Sequence, residues 1–206
     1  TKIFFISSGT TKKVVEQIAS NFECESQIRD LMHFDSSYKF TKDDVVIVGM
    51  PVFAGRIPKT ARDRLSKLTG NNTKAIAVAN YGNAKVGDAL LELVDVLGEN
   101  NFNVIAAIST VSHHSIFDGV AVGRPDSEDI EKINEFSKKC MEKIGSGESI
   151  ESEIPGNKPY VDYKHHPFIF NNAVSICIFC CQCITIYPEN TILNDHPTDV
   201  ELDSCS

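Results

Sequence analysis

No apolar run in the 206-residue chain exceeds strand length, so nothing in it is long enough to cross a bilayer as a helix. The opening residues Thr-Lys-Ile-Phe-Phe-Ile lack the basic region and small-residue cleavage site of a secretory signal, and a cytoplasmic location is expected. Basic residues are also in deficit. Twenty Lys and Arg face 28 Asp and Glu, for a net charge of −8, and nucleic-acid phosphates would repel such a surface. Two nucleotide-binding signatures are missing: the second glycine followed by Lys-Ser/Thr of a triphosphate loop, and the GxGxxG of a dinucleotide fold.

The charge deficit is uneven. Residues 1–150 carry 18 basic and 20 acidic side chains, whereas residues 151–206 carry two and eight. An acidic surface suits docking of a basic redox partner, because long-range attraction raises encounter rates. A merely solvated acidic tail is the plainer reading of the same numbers.

Over the first 145 residues, strand and helix patterns alternate. Ile3–Ser7, Val45–Gly49, Ala75–Ala79 and Val104–Ile108 are short apolar runs suited to strands buried on both faces, and Glu25–Asp30 is a weaker candidate. Between them, Val14, Val15, Ile18, Ala19 and Phe22 fall at helical spacing, as do Val86, Leu90, Leu93 and Leu97. Pro58 stands where a helix begins, and Ile130, Ile133, Phe136, Cys140 and Ile144 stripe a last helix ending at Gly145. Five strands with helical crossovers predict an α/β fold, a doubly wound parallel sheet in the order 2-1-3-4-5. Residues 1–145 are read as this domain. The Gly-, Ser-, Pro- and Glu-rich stretch 146–159 is read as a linker and 160–206 as a separate small segment.

Three loops fall at the carboxyl ends of the predicted strands, where ligands bind in this architecture. Ser7-Ser8-Gly9-Thr10-Thr11 lies between the first strand and the first helix. There, unpaired backbone N–H groups and the helix dipole favour a phosphate, although a plain Ser/Thr helix cap fits the same residues. Pro51-Val52-Phe53-Ala54-Gly55 and Asn80-Tyr81-Gly82-Asn83 each offer an aromatic ring beside small residues. A phosphate site flanked by two aromatic-bearing loops suits an aromatic mononucleotide. No nucleophile–base constellation is evident, so no catalytic residue is named.

These segments resemble the three FMN-binding loops of flavodoxins. In that family the first loop reads T/S-x-T-G-x-T; Ser8, Gly9 and Thr11 match it, while Ile6 replaces the first hydroxyl residue. Pro51–Pro58 is similar to the PVYAGR(V/I)P loop of anaerobic flavodoxin–ferredoxin fusion proteins, and Tyr81-Gly82-Asn83 to their YGN loop. Gly123–Asp126 and Pro155–Tyr160 also resemble segments of that subfamily, so the likeness runs through essentially the whole chain. It implies a flavodoxin-like domain that binds FMN non-covalently, with Tyr81 stacked on the flavin, and carries electrons. An FMN-dependent reductase of a small molecule and a flavin-free regulatory module are the rivals.

The last segment is read as an incomplete ferredoxin-like α+β tail. Cys177, Cys180 and Cys183 have the C-x2-C-x2-C spacing of a [4Fe–4S] ferredoxin run and Pro188 follows, but Tyr187 occupies the fourth cysteine position. A phenol is a hard oxygen ligand and fits a thiolate site poorly. Three readings stay open: a [4Fe–4S] cluster completed by Cys205 or an external ligand, a tail that binds no cluster, and zinc or another thiophilic metal on the three cysteines. The pairs His113–His114 and His165–His166 lack i,i+4 spacing and read as loop histidines, with His113 or His114 near the flavin site.

Overall fold

The computed structural model describes residues 2–5, 9–22, 26–31, 33, 36–146, 148–150, 153–163, 178–180 and 182. The chain divides into two compact units, Thr1–Tyr163 and Lys164–Ser206.

In the first unit the apolar runs form parallel strands: β1 (Lys2–Phe5), β2 (Gln27–Asp30), β4 (Val45–Pro51), β6 (Thr73–Tyr81) and β7 (Phe102–Val111). They make one sheet in the order β2-β1-β4-β6-β7. The helices are α1 (Gly9–Ser20), α2 (Lys59–Leu65), α3 (Ala89–Glu99) and α4 (Ser127–Ser146). Alternation along the strands divides the core in two. Val46, Val48, Met50, Ala75, Ala77 and Ala79 face α2 and α3, where the small alanines make room for Leu90, Leu93 and Leu97. Ile47, Ile76, Val78 and Ile105 face the other way, onto Val14, Val15 and Ile18 of α1 and Ile133 and Cys140 of α4. Each Val, Ile, Leu or Met among them contributes about 1.5–3 kcal/mol when fully buried. The register of β6 against β7 shifts between Ala75 and Ile76, which pair with Val104 and Ala106. A bulge at Ile105 of this kind strengthens the local twist.

Several expectations are revised. β3 (Tyr38–Lys39) and β5 (Leu68–Thr69) form a second, two-stranded sheet that periodicity did not reveal, because two residues are too few to show alternation. Pro58 is the residue before α2 rather than within it, and Val86 precedes α3, which begins at Ala89. The stretch expected as a linker is packed. Ile150 N–H donates to Val104 O at 2.9 Å, Ile154 joins the core beside α3, and the first unit runs on to Tyr163.

Candidate functional site

Parallel strands bring all their carboxyl ends to one edge, and the registers align the residues there. Pro51 of β4 pairs with Asn80 of β6, and Asn80 with Thr110 of β7, so the loops that follow leave side by side. The N-terminus of α1 reaches the same edge. Asn80 is buried and in hydrogen-bond range of Thr11 on one side and Thr110 and Ser112 on the other. In the amide orientation that satisfies both sides, Oδ1 accepts from the Thr11 N–H at 3.3 Å and the Thr11 hydroxyl at 3.2 Å. Nδ2 then donates to Ser112 Oγ at 2.7 Å and Thr110 O at 3.1 Å. Asn80 thus caps the first turn of α1 from a neighbouring strand and ties it to β6 and β7. This residue, one of those expected to meet a ligand, braces the edge from within.

Gly9 and Thr10 open α1 ahead of Thr11, and a Cβ built on Gly9 meets no atom within 4 Å among the described residues. Ser7 and Ser8, the other two residues expected in this loop, lie outside the described residues, as does Ile6.

The loop after β4 is a tight turn. Phe53 N–H donates to Arg56 O at 2.9 Å and Arg56 N–H to Phe53 O at 3.0 Å, and the central residues Ala54 and Gly55 have φ of 50° and 85°. Positive φ at both positions is the type I′ signature. The turn leaves the Phe53 ring 52% exposed, while the preceding Val52 N–H donates to Asn80 O at 3.0 Å. Its back rests on Gly87. A Cβ there would lie 2.6 Å from Gly55 Cα, so no larger residue fits.

Tyr81 ends β6 half-buried, and its carbonyl accepts from Ser112 N–H at 2.9 Å. Gly82 lies against His114, whose Cδ2 would be 2.6 Å from an added Cβ. Asn83 follows with φ 59°. His114 Nδ1 accepts from the N–H groups of Ile116 at 3.1 Å and Phe117 at 3.2 Å, which requires a lone pair on that nitrogen. The Tyr81–Asn83 loop is therefore backed by the loop after β7, which carries His114. A cavity of about 720 Å³ lies beside this region, lined by Thr10, Lys13, Gln17, His113, Arg124 and Ile130 among others; Tyr81 and Phe53 do not line it.

Beneath the Phe53–Arg56 turn is a polar cluster that sequence reasoning missed. Arg56 donates to Glu92 through Nε at 2.8 Å and Nη2 at 2.7 Å, and Glu92 has no exposed surface. Tyr163 Oη donates to Glu92 at 3.0 Å, and the Arg56 guanidinium lies over the Tyr163 ring at 4.1 Å. Hydrogen bonding and charge from Glu92 raise the Arg56 pKa despite burial. Burial, and after it the negative charge of Glu92, push the Tyr163 phenol up to about 12. Asp88 is held below the usual carboxylate range, first by the Val161 N–H it accepts and next by the Asn157 N–H. The available signal was Glu92 itself, an acid on the apolar side of a helix, which demands a buried cation.

No family model and no curated protein matches the chain. Solved structures do. Flavodoxin 2 from Bacillus cereus superposes with a TM-score of 0.52 at 19% identity, covering 69% of this chain and 97% of that one. The fold is flavodoxin-like. Oxidised flavodoxin 1 from Bacillus cereus matches at 0.49 and 20% identity over 68% of this chain and 95% of that one. A Fusobacterium nucleatum flavodoxin bound to flavin mononucleotide matches at 0.46 and 12% identity, over 69% and 96%.

Of the expected metal ligands, Cys177, Cys183 and Cys205 lie outside the described residues, and Cys180 is exposed and in no disulfide. Among the described residues no group of three or more His, Cys, Asp or Glu is placed to hold a metal ion. Cys140 is buried, and desolvation pushes its thiol up to about 12, which keeps it unreactive. No described helix is long and apolar enough to cross a membrane.

Proposed function

We propose that the first unit binds FMN non-covalently at the carboxyl edge of the sheet and transfers electrons. What supports the reading is the convergence, on a flavodoxin-like fold, of the α1 N-terminus with two aromatic-bearing loops from the adjacent strands β4 and β6. The donor set fits the group. Gly9 and Thr10 offer a helix N-terminus and a hydroxyl to a phosphate, and Tyr81 and the exposed Phe53 ring offer flat apolar surface to an isoalloxazine. Flavin supplies the redox chemistry when bound, accepting one or two electrons. The protein's part is to hold the phosphate, orient the ring and exclude water through the loops at Phe53, Tyr81 and His114. A basic redox protein is the partner that the net charge of −8 favours. A [4Fe–4S] cluster on Cys177, Cys180 and Cys183, completed by Cys205 or an external ligand, is the finer proposal for the second unit, on the cysteine spacing alone.

Titration of the chain with FMN and, separately, with riboflavin, which lacks the phosphate, tests the reading. FMN should bind with quenched fluorescence. Thr10→Ala should weaken FMN several-fold and leave riboflavin unchanged, whereas Tyr81→Ala should weaken both. A chain that binds neither flavin would be a flavodoxin fold serving as a binding module. Iron and sulfide assayed on anaerobically purified protein decide the cluster.

A further inference from the structure

Asp88 immediately precedes α3, a position where a carboxylate ordinarily caps its own helix, yet it makes no such bond. Its two oxygens are turned outward. Oδ1 accepts from Asn157 N–H at 2.9 Å and Oδ2 from Val161 N–H at 2.8 Å. Its own backbone N–H donates to Gly55 O at 2.8 Å. One residue therefore grips residues 157–161 with its side chain and the Phe53–Arg56 turn with its backbone.

Arg56 makes the same connection from the other end. Its N–H and C=O close the turn with Phe53, while its guanidinium reaches Glu92, donates through Nη1 to Val161 O, and lies over the rings of Tyr160 and Tyr163. The segment lies close on α3: a Cβ on Gly156 would be 2.7 Å from Leu91 Cβ. Tyr160 Oη bonds Asp95, and Lys158 Nζ pairs with the same carboxylate at 2.7 Å. The side chains of Asp88 and Arg56 are not part of the proposed cofactor-binding set, and these two residues carry the segment's contacts to the turn that presents Phe53.

We propose that residues 157–163 form a strap that fixes the Phe53–Arg56 turn through Asp88 and Arg56, making these two residues, with Glu92 and Tyr163, positioning residues for the flavin site. The inference rests on the proposed FMN reading. It adds that affinity for the cofactor depends on a segment remote in sequence, the one from which the chain continues into the cysteine-bearing residues 164–206. Exchange between a strapped and an unstrapped turn couples the two, and such couplings are typically about 5–150-fold.

The test uses the full chain and three variants, Tyr163→Ala, Tyr163→Phe and Asp88→Asn. It reads two quantities, the hydrogen-exchange rates of individual amides and the Kd for FMN. Tyr163→Ala and Asp88→Asn should raise exchange at the Phe53 and Arg56 amides about tenfold, leave Ala77 and Val78 of β6 unchanged, and raise the FMN Kd about tenfold. Tyr163→Phe, which keeps the ring over Arg56, should recover most of both effects. Unchanged exchange at Phe53 and Arg56 in Tyr163→Ala and Asp88→Asn overturns the strap. So does exchange that rises equally in β6, since the effect would then be a global loss of stability. A loosened turn with an unaltered FMN Kd overturns the coupling to the cofactor. If the unmodified chain binds no FMN, the functional reading fails, and the exchange rates alone decide whether the strap exists.

Discussion

Glu92 lies on α3 among Leu93, Val96 and Leu97 and has no exposed surface, so its charge is tolerated only because donors surround it. Arg56 supplies two bonds, Tyr163 Oη a third at 3.0 Å and Ile57 N–H a fourth at 3.3 Å. Removing one member of such a buried pair strands the other. Glu92→Ala is expected to cost about 3–5 kcal/mol in urea unfolding, far more than an exposed ion pair such as Lys132–Glu128 contributes. Two backbone positions, Ala54 in the Phe53–Arg56 turn and Gly87 packed behind it, should behave in opposite ways. Ala54 sits at φ 50°, where a side chain costs about 1–2 kcal/mol, so Ala54→Gly relieves strain that offsets the glycine entropy of about 0.5–1 kcal/mol. Its melting temperature should be unchanged or slightly raised. Gly87→Ala forces a methyl to 2.6 Å from the Gly55 backbone and should destabilise by about 1–3 kcal/mol while disturbing the turn.

Among the elements, residues 153–163 depart most from what their composition suggests. Gly, Pro and polar residues mark a flexible connection, yet the segment is held by Asp88, Asp95, Glu92 and Arg56. That arrangement makes stability pH-dependent at both extremes. The depressed pKa of Asp88 contributes stability that is complete above the unfolded value of about 3.9 and is lost as pH falls through the lower folded value. Tyr163 works in the opposite sense. Its folded pKa of about 12 lies above an unfolded value of about 10, so its contribution is complete below pH ~10 and declines as pH rises toward the folded value. Urea unfolding across pH should show Asp88→Asn flattening the acid limb and Tyr163→Phe flattening the alkaline one. A Tyr163→Phe variant with an unchanged alkaline limb would assign that limb to other phenols or lysines.

At the scale of the whole molecule, charge is what a partner meets first. With 20 basic and 28 acidic side chains, electron delivery to a basic haem protein should slow about tenfold or more as ionic strength rises from 0.01 to 0.15 M. Over that range the screening length falls from about 30 to about 8 Å. An acidic acceptor should show the reverse trend. Equal salt dependence with both acceptors would remove steering from the account and leave contact shape to choose the partner.

The α/β class and the loops that follow β4 and β6 were determined by the chain itself, because strand-length apolar runs and helical spacing are local signals that each segment carries whole. The turn at Ala54-Gly55 was legible in part, since Gly55 sits at φ 85° where glycine carries no penalty, whereas Gly82 owes its place to the close approach of His114 from the loop after β7. Only the tertiary structure decided that Asn80 caps α1 from β6, that Glu92 meets Arg56, and that residues 157–163 fasten the Phe53–Arg56 turn. Those contacts join residues 36 to 105 positions apart. A buried charge or amide announces that a partner must exist, but which partner reaches it depends on where parallel strands bring distant loops together, and no local pattern contains that.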